Sequence, residues 1–583
     1  MRYVIVGNSA AAVAAVAAIR TVDAGAQVTM CSPEEGCAYG TPLISYVLEG
    51  ETTIERAVIR DESWYAANNV TCEFGPGKGA VALDASAKVV TLEDGTELAY
   101  DKVLFACGST PTPPRGIEGL SEEAPYAPDV ANSFAFNTMG DTRAILDYLS
   151  GPEIAAKRAS GEPVSVVISG SGLIGAKAAE GICHHVDVTY LVGHAKRVLR
   201  KLLDDEASPV LAELMGRHGI ENVAGTVVTG VAYDESSGAA GGSDGGSGAA
   251  GSGADGASGS DGGSGADGAA GSDGGSGGRR IASVTLDDGR ELDCDLLITA
   301  IGVRPNVSVL SDAGAEVSRG VVCDGHMLTS LPDVYAAGDV ANTANVLTGE
   351  DVPLALWPTA SEQGRVAGLN MAGAEATFDG SFARNAVGFF GELNIVGCGI
   401  INPAPDDPDI ESVVSWAGDD GAAGGAAATG VQGAGGAAAG TQAAGGAVAT
   451  SAPAATAAEL AYSKFNIRDG KLVGYLLMNR PEAAGIYTLI IKNQIPLADL
   501  PDDIFERAPR MLDLPAGLRS RNMLKGRITS EAPSGAPVFD KWGADTVGGT
   551  AAEGGALGGD AAAGAESVGT ARAGVRVAEG RQS

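Results

Sequence analysis

The sequence is poor in the residues that build metal centres and disulfide frameworks. Its 583 residues include five histidines and eight cysteines, with no Cys-x-x-Cys pair and no Cys/His cluster, so no metal site is expected. The cysteines, at 31, 37, 72, 107, 183, 294, 323 and 398, sit mostly in apolar strand-like runs. That is the usage of small buried hydrophobes in a reduced, cytoplasmic chain. Basic charge is scarce too. The 39 Lys and Arg face 73 Asp and Glu, a net charge of −34, which excludes nucleic acid as a partner because phosphate binding needs clustered cations. No apolar run approaches the length of about 18 residues that a membrane span requires. The N-terminus has a signal peptide's outline, but Gly7-Asn8 interrupts the apolar run where a strand-to-helix turn belongs.

Glycine is in excess. Its 86 residues are about twice the usual share. They concentrate in residues 236–278, in residues 417–457 and in the tail from 543. These stretches hold too little apolar surface to offset the entropy of ordering them, and are expected to be disordered. The remainder, roughly 450 residues, is enough for several packed domains.

Within it one supersecondary pattern occurs twice. Arg2–Val6 reads as a strand, Ser9–Arg20 as a helix and Gln27–Cys31 as a second strand, followed by an Asp-Gly hairpin and a buried strand within 88–109. Residues 134–149 read as a helix. The second copy opens at Val164–Ser169, continues through a helix to Ile182 and a strand over 187–192, and closes on the Asp-Gly hairpin and apolar strand of 283–306. Residues 328–340 read as a strand ending in Gly-Asp.

Each copy carries a glycine turn between strand and helix. Gly170, Gly172 and Gly175 form G-x-G-x-x-G: a tight turn, a close approach for pyrophosphate, and close helix–strand packing, with the helix N-terminus facing the phosphates. The acid that holds a ribose 2′-hydroxyl is missing after the next strand, where His194, Lys196 and Arg197 stand instead. Cations there favour a 2′-phosphate, hence NADPH over NADH; ordinary surface charge is the alternative. In "GNSAAA", Gly7 keeps the turn, Ser9 takes the close-approach position and Ala12 the packing position. The site reads as adapted rather than broken.

With these motifs in hand, the chain resembles the FAD-dependent pyridine nucleotide–disulfide oxidoreductase superfamily. It is most similar to the branch of NAD(P)H:rubredoxin reductases, NADH oxidases and nitrite reductase flavin domains. The resemblance rests on "VIVGNSAAAVAA", "YGTPLISYVLEG", "LAYDKVLFACGSTPTPP", "VVISGSGLIGAKAAE", "LLITAIGVRPN", "VYAAGDVA", "LALWPTASEQGRVAGLNMAG" and "LVGYLLMNRPEAAGIYTLIIKN", in that order. It implies an α/β fold with two Rossmann-like, three-layer nucleotide-binding domains, one inserted in the other, plus a C-terminal α+β domain. Residues 1–130 and 307–383 would bind FAD, 131–306 NAD(P)H, and 384–497 would form a dimer interface, with 498–583 an extension and tail. FAD contacts would be Gly7, Ser9, Ala10, Cys107, Gly108 and Asp339, with Glu34 or Glu35 as the ribose acid. Pro42, Trp357 and Gln363 would lie near the flavin ring. Gly170, Gly172, Ile174, Gly175 and Gly302 would serve NAD(P)H.

Three departures stand out. Thr41 occupies a position where the family often has Arg, no Lys follows "PLIS", and Lys177 replaces a frequent Glu two residues after the third glycine. Lys177 either stabilises reduced flavin or extends to solvent. The C-x4-C pair of disulfide chemistry is absent, leaving Cys37 as the candidate for a lone redox thiol. No ligands for an iron–sulfur cluster or sirohaem are present, so nitrite reduction by this chain alone is not expected. The resemblance implies a flavoenzyme passing hydride from NAD(P)H to FAD and electrons onward, with rubredoxin or ferredoxin as acceptor, docking at the cations of 507–527. Oxygen or peroxide as direct acceptor, or a flavoprotein binding module with poor turnover, are the alternatives.

Overall fold

The computed structural model describes residues 1–121, 129–234, 278–404, 407–417 and 460–518. The expectations on 236–278, on 417–457 and on the tail from 543 fall almost wholly outside these residues. The described residues form two five-stranded parallel sheets, one five-stranded antiparallel sheet and smaller ribbons.

The first sheet is built on β1 (Arg2–Val6), a run of apolar residues buried from Tyr3 onward, as a strand covered on both faces must be. Helix α1 (Ala10–Val22) follows, then β2 (Gln27–Ser32), the short helix α2 (Ile44–Glu49), β3 (Val70–Phe74) and β4 (Lys102–Phe105). The strand order is Val334–Ala336, β4, β1, β2, β3. Val6 is level with Cys31 on one side and Phe105 on the other, so the turn at Gly7 leaves the sheet where strand order reverses.

The second sheet repeats this plan. Residues 134–149 do not form one helix: Ser133–Ala135 is strand β5, pairing with Leu297–Thr299. The helix begins only at Met139, behind a capping box of Thr138 and Asp141. Then come β6 (Ser165–Ser169), α3 (Leu173–Ile182), β7 (Val188–Gly193), α4 (Ser208–Arg217), β8 (Ile220–Ala224) and β9 (Leu296–Thr299). The order β8, β7, β6, β9, β5 again places the glycine turn at the end of the central strand. Both Asp-Gly hairpins form, over Val89–Leu92 with Glu97–Ala99 and over Ile281–Leu286 with Glu291–Asp293.

Helix α5 (Trp357–Met371) lies against α1, and small residues set the spacing. A Cβ on Gly364 would fall 2.0 Å from the Ala11 carbonyl oxygen, and one on Gly368 2.4 Å from that of Ala15. The alanine-rich face of α1 is therefore matched to a glycine face on α5. The antiparallel sheet comprises β10 (Arg384–Phe389), β11 (Leu393–Gly399), β12 (Glu411–Ala417), β13 (Ala461–Arg468) and β14 (Lys471–Met478), followed by α6 (Ala484–Lys492). No described helix is long and apolar enough to cross a membrane.

Candidate active site

Both glycine turns have the geometry of a phosphate cradle. Gly7 and Gly170 adopt φ +116° and +123°, and a Cβ on either would fall 2.2 Å from a carbonyl oxygen, Ala106 or Ala300. Only glycine fits there. Gly175 is equally constrained, because its Cβ would stand 1.8 Å from the Gly170 carbonyl oxygen. Gly172 differs: a Cβ would meet nothing within 4 Å. It is the N-cap of α3 and is exposed, so its missing side chain leaves room outside the fold. Ser9 occupies the same place before α1, and its hydroxyl makes no cap hydrogen bond. Ala12, wholly buried, fills the packing position. Each turn thus presents a helix N-terminus and a small residue to its exterior, which fits a dinucleotide pyrophosphate.

Around the first turn, Cys107 and Gly108 follow β4, and Gly108 takes φ +68°. Asp339 follows the strand Val334–Ala336, and its Oδ2 accepts the Ser109 hydroxyl at 2.9 Å. Burial raises the Asp339 carboxyl above its usual range while the Ser109 hydrogen bond opposes the rise. Asn306 fixes the crossover, donating to the Cys107 carbonyl at 2.8 Å and accepting from Thr110. Gln363, expected near the flavin ring, is fully buried, accepting from Gly338 N and donating to Thr343, so it braces the Gly-Asp turn. Pro42 opens the helical turn leading into α2, and Trp357 opens α5, half-buried.

The residue ending β2 is Ser32, buried, and its hydroxyl accepts from Glu34 N at 3.3 Å. Glu34 lies two residues beyond and accepts the Tyr39 hydroxyl at 2.6 Å, while Tyr39 accepts Met139 N. Burial pushes the Glu34 carboxyl up, Tyr39 pulls it back and Asp141 adds to the rise, although the residue as a whole is exposed. Glu35 packs instead against Gly75, its Cγ 3.3 Å from where a Cβ would stand. Cys37 sits in surroundings that disfavour a thiolate: burial raises its pKa first, then the nearby charges of Glu62 and Asp61. Burial likewise pushes Cys31 and Cys107 up to about 12.

Around the second turn, Gly193 ends β7 against Ser171, and Leu199 N donates to the Ser171 carbonyl at 3.0 Å. The loop from 194 therefore folds back onto the glycine turn. It lines a cavity of about 640 Å³ with His194, Lys196, Arg197 and Arg200, facing Ser208 and Asn222. Arg197 is committed to Asp205, the one carboxylate of the lining, and to the Leu203 carbonyl. His194, Lys196 and Arg200 are exposed. Asn222 Oδ1, buried, has no hydrogen-bond partner. Ile174 is half-buried on the first turn of α3, and Gly302 stands open after β9 at φ +120°. Lys177 does not extend to solvent: its ammonium is held inside the protein by Glu180 and the Gly388 carbonyl.

The sequence reading missed Ser32, Ser109, Arg200, Asn222 and Asn306. Asn306 had a signal, since it closes the quoted "GVRPN". Ser109 had the same signal, lying beside Gly108 in "LAYDKVLFACGSTPTPP", whereas Asn222 reaches its site only through tertiary folding.

The docking stretch at 507–527 is described only as far as 518. There Arg507 binds Asp513 and Asp503, and Arg510 lies 3.8 Å from Asp513. The two described cations of the stretch are thus paired within the chain.

Comparison with known proteins agrees with this geometry. The family model "Pyridine nucleotide-disulphide oxidoreductase" matches residues 1–250 and 268–364. The NADH-dependent phenylglyoxylate dehydrogenase subunit epsilon of Aromatoleum evansii is 27% identical over 392 residues, covering 67% of this chain and 77% of that protein. The NADH oxidase of Methanocaldococcus jannaschii is 26% identical over 408 residues, covering 69% and 76%. Among solved structures, the covalent putidaredoxin reductase–putidaredoxin complex aligns with a TM-score of 0.62 at 21% identity, covering 85% of this chain and 94% of that one. The chain belongs to the pyridine nucleotide-disulphide oxidoreductase family and is an NAD(P)H oxidoreductase, with FAD and a pyridine nucleotide as the family's cofactors.

Proposed function

We propose that this enzyme takes hydride from NADPH and passes electrons to a small one-electron carrier protein of the rubredoxin or ferredoxin type. The observation that carries the reading is the duplicated glycine turn, each copy at the end of the central strand of its own parallel sheet. FAD bound at the first turn would supply the chemistry, accepting hydride and releasing electrons. Residues 1–130 and 307–383 would form the FAD domain, 131–306 the nucleotide domain, and 384–497 a dimerisation domain.

This chain's residues then have separable tasks. Gly7, Ser9 and the α1 N-terminus hold the FAD pyrophosphate; Asp339, aimed by Ser109, accepts from a ribityl hydroxyl. Glu34 would meet the FAD ribose. Gly170, Gly172, Gly175 and the α3 N-terminus hold the nucleotide pyrophosphate. Lys196 and Arg200, with His194, receive the 2′-phosphate; Lys196 and Arg200, unopposed by the already paired Asp205, favour a dianion there.

A carrier as acceptor is supported by the likeness to a reductase captured with its carrier. Cys37, with its disfavoured thiolate, gives no support to a disulfide step. Steady-state turnover tests the acceptor. NADPH oxidation that requires added ferredoxin or rubredoxin is expected; equal rates with oxygen alone would move the assignment to an oxidase.

A further inference from the structure

A buried ion pair lies between the second nucleotide turn and the antiparallel sheet. Lys177 is 8% exposed and Glu180 2%, one helical turn apart on α3, and they pair directly. Each charge also reaches outside its helix. Lys177 Nζ donates to the Gly388 carbonyl at 3.2 Å and stands 4.5 Å from the ring centroid of Tyr46 and 5.3 Å from that of Phe389. The second oxygen of Glu180 accepts the backbone N–H of Phe390. Two charges therefore join α2, α3 and the end of β10. At the same junction a Cβ on Gly181 would lie 2.9 Å from the Ser45 carbonyl oxygen, so α2 and α3 already touch backbone to backbone.

Stability alone does not account for this arrangement. A buried pair loses in desolvation much of what it gains in attraction, and apolar residues of similar volume often serve as well. What the pair adds is direction. Phe390 N–H and the Gly388 carbonyl each have one permitted place relative to α3, and a packed apolar contact would not fix both. Lys177 stands five residues beyond Gly172, about 7–8 Å along the helix axis. Over so short a span the helix is rigid, so whatever holds Lys177 and Glu180 also holds the N-terminus offered to the nucleotide.

We propose that Glu180 is a positioning residue. It locks α3 to residues 388–390 at the end of β10, so that the antiparallel sheet orients the nucleotide-binding end of the helix. Nucleotide binding in turn orders that strand end, because coupling between two sites is reciprocal. The proposal rests on Gly170–Gly175 being a nucleotide site.

The test uses the full chain loaded with FAD, and NAD⁺ and NADP⁺ as separate probes. Three proteins are compared: wild type, Glu180→Gln, and the double variant Lys177→Met with Glu180→Leu, which replaces the pair by apolar side chains. Equilibrium dissociation constants, Tm and amide exchange over 386–392 are measured. In wild type, the nucleotide that binds should slow exchange at Phe390. Glu180→Gln should weaken binding about tenfold and abolish that protection. The double variant should recover Tm without recovering affinity; it also decides the matter if Glu180→Gln does not fold. A double variant with wild-type affinity would reduce the pair to a structural contact and overturn the proposal. Wild type that binds neither probe would instead remove the nucleotide site itself, and the proposal with it.

Discussion

Ser109 and Asp339, 230 residues apart in sequence, meet at 2.9 Å where the crossover after β4 passes the Gly-Asp turn. The hydroxyl offsets part of the burial that raises the carboxyl, and so keeps an acceptor available at that turn. Ser109→Ala is expected to weaken FAD binding about tenfold, the order of one hydrogen bond to a charged group. Asp339→Asn should weaken it further. Equilibrium dialysis of the apoprotein against FAD checks both, and unchanged affinity in Asp339→Asn would remove that residue from the site.

The three glycines of the second turn should respond differently to alanine. Gly172→Ala adds a methyl into open space, so Tm should hold while NADPH affinity falls as the close approach is blocked. Gly175→Ala must push against the Gly170 carbonyl, which should lower stability by about 1–3 kcal/mol or more. Thermal melts beside nucleotide titrations separate the two. Equal loss of stability in both variants would contradict the cradle.

Arg200→Ala should raise KM for NADPH about tenfold and leave KM for NADH nearly unchanged, because only the first carries a 2′-phosphate for that cation. Arg197 makes the better control. Bound to Asp205, it should show stability loss rather than cofactor discrimination when replaced.

Glu49 provides a pH test of the junction below the ion pair. Burial, followed by repulsion from Glu180 and Glu51, pushes its pKa from 4.5 to about 7, against the pull of Lys177. Between those values the folded chain binds more protons than the unfolded one. This group's contribution is therefore fully present below about pH 4.5 and is lost as pH rises through 7. Glu49→Gln abolishes that loss. Its Tm should gain on wild type by a few degrees as pH is raised from about 5 to about 8. A difference independent of pH would contradict the shifted carboxyl.

The parallel sheets were legible in the sequence because strand, glycine turn and helix follow one another within each copy of the pattern. Gly7, Gly170 and Gly175 are constrained by contacts their spacing already implies. Phe134 was misread because an apolar run of three residues before a helix carries no sign of its strand partner; only Leu297–Thr299, far along the chain, makes it β5. The partners of Gln363 and Lys177 were hidden for a related reason. Their motifs do not announce the hydrogen bonds to Gly338, Thr343 and Gly388, nor that Lys177 stays buried instead of extending to solvent. Polar side chains follow tertiary partners that no local spacing encodes.

An anaerobic absorbance titration of the FAD-loaded protein with NADPH, and separately with NADH, tests the central claim most directly. Stoichiometric bleaching of the flavin band, complete at lower NADPH than NADH, is the predicted result. A flavin band that neither nucleotide bleaches would contradict the pairing of the two glycine turns in one hydride-transfer enzyme.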